Sequence, residues 1–152
     1  MSKISSRLFL LSLFFFISCS KTTPISQHKK IIYTSKVSKE FLKTLNFNGE
    51  ELISVTIDGH FYYIREDGRK MRTVVYDNAP DQFVDGLART RFKGKIGFFN
   101  RNLEMVLKPI YDFAFPFHKG IAEICVGCTE GEDSLLEGGE WKKINRKGLV
   151  IE

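Results

Sequence analysis

Cys125 and Cys128 stand three residues apart in the stretch CVGC, and that spacing admits three chemistries. A thioredoxin-type redox pair needs its first cysteine near a helix N-terminus, which lowers the thiol pKa, whereas here a strand pattern runs into a loop. A zinc site needs about four ligands, and the chain has neither a second CxxC nor a histidine clustered with this one. In an oxidising compartment such a pair closes as a disulfide, and Gly127 lets the chain bend enough to bring the sulfurs together. The expectation is a Cys125–Cys128 disulfide with a small thermodynamic effect, because the closed loop is short. No metal and no cofactor are expected.

Four cations, Arg89, Arg91, Lys93 and Lys95, make the second cluster. Arg89, Arg91 and Lys93 share one face of a strand. They read either as an exposed face kept soluble and guarded against edge pairing or as a possible anion-binding face. Asp77 and Asp112 could pass for a carboxylate pair, but they recur at one repeat position and read as turn residues that bond nearby backbone amides. His28, His60 and His118 read as solvated turn or linker residues without partners at metal-ligand spacing. The acidic stretch from Glu130 to Glu140 lacks the alternating ligands of a calcium loop. There is no glycine-rich phosphate loop and no nucleophile elbow. No catalytic residue is expected, and an enzyme is the weakest reading.

The elements that position these residues begin after a leader. Lys3 and Arg7 precede an apolar run from Leu8 to Ile17, which is shorter than the roughly 20 residues a spanning helix requires. A charged start, a short apolar stretch and small Ser18 mark residues 1–18 as a signal peptide. Cys19 follows at once, and FISCS resembles a bacterial lipobox, with Phe16 and Ile17 in place of the usual Leu and a smaller residue. The resemblance implies cleavage before Cys19 and acylation there, palmitate included. Two or more acyl chains hold a protein stably on a membrane. Residues 19–30 then form a polar tether. Loss of residues 1–18 removes two basic residues and no acidic one, so 23 Lys+Arg against 18 Asp+Glu becomes 21 against 18. That mild excess and an extracytoplasmic location give no support to nucleic-acid binding.

The remainder repeats. LISVTIDGHFYYI from Leu52, LARTRFKGKIGFF from Leu87 and IAEICVGC from Ile121 fall into register, with starts 35 and 34 residues apart. Tyr76-Asp77 returns as Tyr111-Asp112, and Phe83 and Phe117 each stand three residues before a glycine. Such a period means stacked supersecondary units. Alternation predicts strands in each unit. Ile53, Val55 and Ile57, then Ala88, Thr90 and Phe92, then Ala122, Ile124 and Val126, are expected to face a core. The intervening residues, Arg89 among them, are expected mostly to face water. Asp58-Gly59 and Lys93-Gly94 predict two-residue hairpin turns. Second strands follow over 61–64, 96–99 and 141–144, with Ile96 and Trp141 as equivalent core positions. Further turns are expected at Asp67-Gly68, Arg101-Asn102 and Lys147-Gly148, and third strands over 73–75, 106–107 and 149–151. Pro109, unable to donate to a ladder, is assigned to a strand end. The interval from the unit start to the second strand is nine residues in the first two units and 20 in the third, so an 11-residue loop is expected to open at Cys125. Residues 31–46 form an N-terminal cap with a short helix from Lys39 to Leu45 and Ser38 as N-cap.

The stretch FVDGLARTRFKGKIGFFN, with VLKPIYDFAFPFHKGIAEI after it, resembles the WG-repeat proteins. The naming Trp-Gly pair is intact nowhere: it reads Phe61-Tyr62, Ile96-Gly97 and Trp141-Lys142. The resemblance covers about residues 47–152, in units of about 47–82, 83–116 and 117–152. It implies an all-β array that binds partners and carries no catalytic residues. The resulting expectation is a lipid-anchored, extracytoplasmic binding module at a bacterial inner or outer membrane, with an envelope protein or glycan as partner. The alternative is a structural element, or the relic of a longer array, without a ligand of its own.

Overall fold

The computed structural model describes residues 33–131 and 135–151. The 1–18 segment, Cys19, the 19–30 tether, His28 and Glu152 lie outside the described residues. The elements are β1 (Ser35–Lys36), α1 (Lys39–Thr44), β2 (Leu52–Ile57), β3 (His60–Arg65), β4 (Arg69–Arg72), β5 (Val75–Tyr76), β6 (Ala79–Pro80), β7 (Leu87–Phe92), β8 (Lys95–Asn100), β9 (Met105–Tyr111), β10 (Phe113–Ala114), β11 (Ile121–Glu130) and β12 (Leu136–Asn145). All strand pairing is antiparallel. The sheets run β1-β4-β3-β2, β5-β6, β7-β8-β9 and β10-β11-β12. Among the described residues the fold is all-β with one short helix.

Turn chemistry sets the hairpins. Asp58 and Gly59, and again Lys93 and Gly94, all have positive φ. Two such residues in succession match the right-handed twist of the flanking strands, so β2–β3 and β7–β8 close without splaying. Ser38 Oγ accepts from Phe41 N at 3.1 Å and caps α1, as expected of a serine just before the helix. The next turn repeats as a device: Asn100 Oδ1 accepts from Asn102 N and Glu104 N, and Asn145 Oδ1 from Lys147 N and Leu149 N. Gly68 and Gly148 take its positive-φ position in the outer units, and Leu103 takes it in the middle one, at φ 58°. A branched residue there costs about 1–2 kcal/mol, and full burial of the Leu103 side chain offsets it.

The units stack. The linker after β4 runs onto β7, with Val74 N donating to Arg89 O at 3.1 Å, and the linker after β9 becomes β10 beside β11. One core holds Leu52, Met71, Ala88, Phe99 and Leu103, between the first and second units. Another holds Leu87, Ile96, Phe98, Phe117, Ala122, Ile124 and Ile144, between the second and third. The middle sheet is therefore buried on both faces. That corrects the alternation read for β7, where Leu87, Ala88, Arg89 and Thr90 are all buried and Phe92 is exposed. A period of two assigns residues to faces; it does not say what lies across each face. In the third unit Ala122 and Ile124 are buried as expected, whereas Val126 is exposed.

Four placements differ from expectation, the first being the third unit's third strand over 149–151, where only an isolated bridge of Val150 to Ile144 forms. The first unit's third strand is β4, three to four residues earlier than 73–75. Pro109 lies inside β9, where the register against β8 slips between Ile96 and Phe98. A bulge needs no donor from proline. Opposite it, a Cβ on Gly97 would stand 2.7 Å from both Leu107 O and Pro109 N, so the glycine of the degenerate Trp-Gly pair is required for the backbones to approach. In the third unit, the extra residues lengthen a hairpin instead of opening a loop at Cys125. β11 and β12 have ten residues each against six in the earlier hairpins.

Candidate functional site

The middle unit's cations do not form one surface. Arg89 is 4 % exposed. Its Nη2 donates to Asp81 Oδ1 at 2.6 Å, its Nε and backbone N donate to Asp81 Oδ2 at 3.0 and 2.8 Å, and its Nη1 donates to Ala114 O at 2.8 Å. Tyr63 Oη donates to Asp81 O at 2.9 Å. Arg89 thus ties the linker of the first unit to β7 and to β10, which pairs with β11 of the third unit, and the water-facing position expected for it is corrected. A bidentate guanidinium–carboxylate pair whose third nitrogen donates to a backbone carbonyl meets the main condition under which buried charge is tolerated. Asp81 carried no signal in the sequence, because its partner is recognisable only once the units are stacked.

Lys95 Nζ pairs with Asp112 Oδ1. Asp112 Oδ2 accepts from Gly127 N at 2.6 Å, so Asp112 reaches across to β11 and is not a local turn residue. The Lys95 hydrogen bond and the Gly127 amide hold the Asp112 carboxyl below the usual carboxylate range. With the folded pKa depressed, the stability it contributes is present above the ordinary carboxylate pKa and is lost as pH falls through the lowered value. Asp77 and Asn78 do form a turn, both at positive φ between β5 and β6. Arg91 and Lys93 remain at the surface; Arg91 Nη1 donates to Gly94 O at 3.2 Å and Lys93 Nζ lies 5.8 Å from the Phe92 ring centroid. His60 and His118 are exposed turn-flanking residues. Among the described residues no group of three or more His, Cys, Asp or Glu could hold a metal ion.

The sulfurs of Cys125 and Cys128 lie at disulfide distance, with Cα atoms 6.0 Å apart. The pair sits within β11, where Gly127, Gly138 and Gly139 all have positive φ. A Cβ on Gly139 would come within 2.8 Å of Cys125 Sγ and 2.7 Å of Val126 O. The glycines make room for the paired sulfurs inside a hairpin that still keeps its register from Ile121–Asn145 to Glu130–Leu136.

That register also places Trp141. Ile96 pairs with Arg91, and Trp141 pairs with Cys125, each partner four residues beyond its unit's start. The expected equivalence of Ile96 and Trp141 stands, but their shared burial does not: Ile96 is 2 % exposed and Trp141 is 40 % exposed. Phe113, Cys125 and Trp141 lie in one cross-strand row. They occupy the face opposite Ala114, Ala122, Ile124 and Ile144, which fill the core. In the second unit the corresponding face is covered by the third. Here Phe113, Phe115 and Trp141 cover one another instead, with Phe113–Trp141 and Phe115–Trp141 centroids each 6.0 Å apart and the latter pair of rings tilted by 30°.

Arg91, Asp112 and Glu130 join this aromatic group around a cleft of about 600 Å³, where the tip of the β7–β8 hairpin meets the third sheet. A concave site with an aromatic wall and a few convergent polar groups is the usual make-up of a ligand site. A wider hollow of about 730 Å³ lies beside α1 and β2, but it is shallow, and its cation Arg101 stacks on Phe83 with 5.0 Å from Cζ to the ring centroid. Phe115 and Glu130 were missed in the sequence. The alternation of Phe113, Phe115 and Phe117 was available as a signal, since the first two share a face. No curated protein and no solved structure matches the chain. Residues 96–127 match the family model described as WG containing repeat, and this segment, which runs from the second strand of the middle hairpin into β11, is similar to one such repeat.

Proposed function

We propose that this chain is a non-enzymatic binding module of the cell envelope, tethered to a membrane by lipid on Cys19, with the Trp141 cleft as its contact site. The observation that carries the binding role is the open aromatic face of the third sheet. Exposed apolar surface with a polar rim is the ordinary mark of an interaction site, whereas Leu87, Ile96 and Phe98 on the same face of the preceding unit are buried. The tether is supported by the leader pattern ending at Cys19, and a lipid anchor would concentrate the module at a surface where its ligand is fixed.

Mass spectrometry of the native protein is expected to show a diacyl or triacyl adduct on an N-terminal Cys19. An unmodified, soluble secreted product would remove the anchor. For the binding role, an unlipidated mature chain is expected to sediment with washed envelope fragments, and Trp141→Ser is expected to abolish that retention. Equal retention of the variant would remove the cleft from the reading.

A further inference from the structure

We propose that the Trp141 cleft takes a neutral saccharide, a refinement that rests on the binding role above. Phe115, 47 % exposed, and Trp141 present aromatic ring surface to the solvent. The negative face of an aromatic ring attracts the slightly positive C–H groups along one face of a pyranose. Around this wall stand side chains of opposite sign. Arg91 uses one Nη1 hydrogen on Gly94 O and has no carboxylate partner among the described residues. Glu130 is exposed and has no cationic partner among them. Asp112 is already held by Lys95 and Gly127.

The mixed signs decide the class. Lys95 neutralises Asp112, so an anionic ligand drawn to Arg91 meets the Glu130 carboxylate in the same cleft, and a cationic ligand drawn to Glu130 meets Arg91. Like charges brought together in a partly desolvated site oppose binding. A ligand of hydroxyls and C–H faces meets no such penalty. The guanidinium offers parallel donors and the carboxylate parallel acceptors, and each planar group matches two vicinal hydroxyls. The cleft volume of about 600 Å³ accommodates a short oligosaccharide. The four-cation anion surface has no counterpart here, since Arg89 and Lys95 are engaged elsewhere.

Trp141 is the chain's single tryptophan, so intrinsic fluorescence reports on the cleft directly. The mature acylated protein, in a detergent without a sugar headgroup, is titrated with three trisaccharides of similar size. They are tri-N-acetylchitotriose (neutral), its deacetylated trimer (cationic) and trigalacturonate (anionic). Equilibrium dialysis runs in parallel, so that a silent fluorophore does not hide binding. The neutral trimer is expected to bind and shift the emission, and Arg91→Met and Glu130→Gln are each expected to weaken it about tenfold. Binding of only a charged trimer overturns the neutral class and leaves the binding role intact. Binding of none, with envelope retention still dependent on Trp141, overturns the saccharide and again leaves the role intact. Loss of both overturns the role with it. Neutral binding that is indifferent to both substitutions also overturns the proposed recognition.

Discussion

Replacing Arg89 with Met is expected to destabilise the domain by about 3–5 kcal/mol, because it strands the Asp81 carboxylate in a buried site without its counter-charge. The figure belongs to loss of one partner and is not the net worth of the pair. Swapping both residues for apolar ones of similar size should therefore cost much less than the two single changes added together. Position supplies the control. Glu123 is the register equivalent of Arg89 in the third unit, two residues beyond Ile121 as Arg89 is two beyond Leu87, and it is exposed. Glu123→Ala is expected to change stability by under about 0.5 kcal/mol. Urea unfolding of Arg89→Met, the single Asp81 replacement, the double replacement and Glu123→Ala checks this. An Arg89→Met protein as stable as Glu123→Ala would mean that the guanidinium faces water and that the units do not close over it.

The second large effect lies in the middle sheet. Phe98 and Phe99 are adjacent and point to opposite faces, and both are fully buried. The Phe98 ring packs against Phe117 with centroids 4.8 Å apart, towards the third unit. Phe99 packs on Phe83 at 5.5 Å and Tyr63 at 6.2 Å, towards the first. Alanine at either position is expected to cost about 3–5 kcal/mol, as loss of a buried aromatic side chain does. In a sheet covered on one side only, one of the two would be cheap. A tolerated Phe98→Ala beside a damaging Phe99→Ala, measured by the same unfolding curves, would detach the third unit from the stack.

These residues also show how far the sequence could be read. The repeat, its hairpins and the Ser38 cap were legible because each rests on local chemistry: Asp58-Gly59 and Lys93-Gly94 demand positive φ, and a serine oxygen meets an orphan helix amide. The equivalence of Ile96 and Trp141 followed from the period, and their pairing with Arg91 and Cys125 bears it out. Burial did not follow, because it depends on the neighbouring layer. Arg89 alternates like a surface residue and becomes internal only when the Asp81 linker and β10 fold over it. Trp141 occupies a position that is core in the middle unit and is left open in the third, where the described residues place no further sheet across it. The 11 extra residues of the third unit argued for a loop at Cys125, but the strands run on through the glycines at 127, 138 and 139. Those glycines fit the Cys125–Cys128 pair inside a hairpin. Asp112 looked local because it recurs with Asp77, yet its partners Lys95 and Gly127 lie 17 and 15 residues away.

The functional reading depends on one exposed aromatic wall, and Trp141 is both its centre and the chain's only tryptophan. Acrylamide quenching of the unliganded, folded protein therefore tests the central claim most directly. The account predicts a red-shifted emission that acrylamide quenches readily, approaching the accessibility seen after unfolding in urea. A blue-shifted emission that resists acrylamide until the protein unfolds would place Trp141 in a core, close the face on which the cleft is built, and contradict the account.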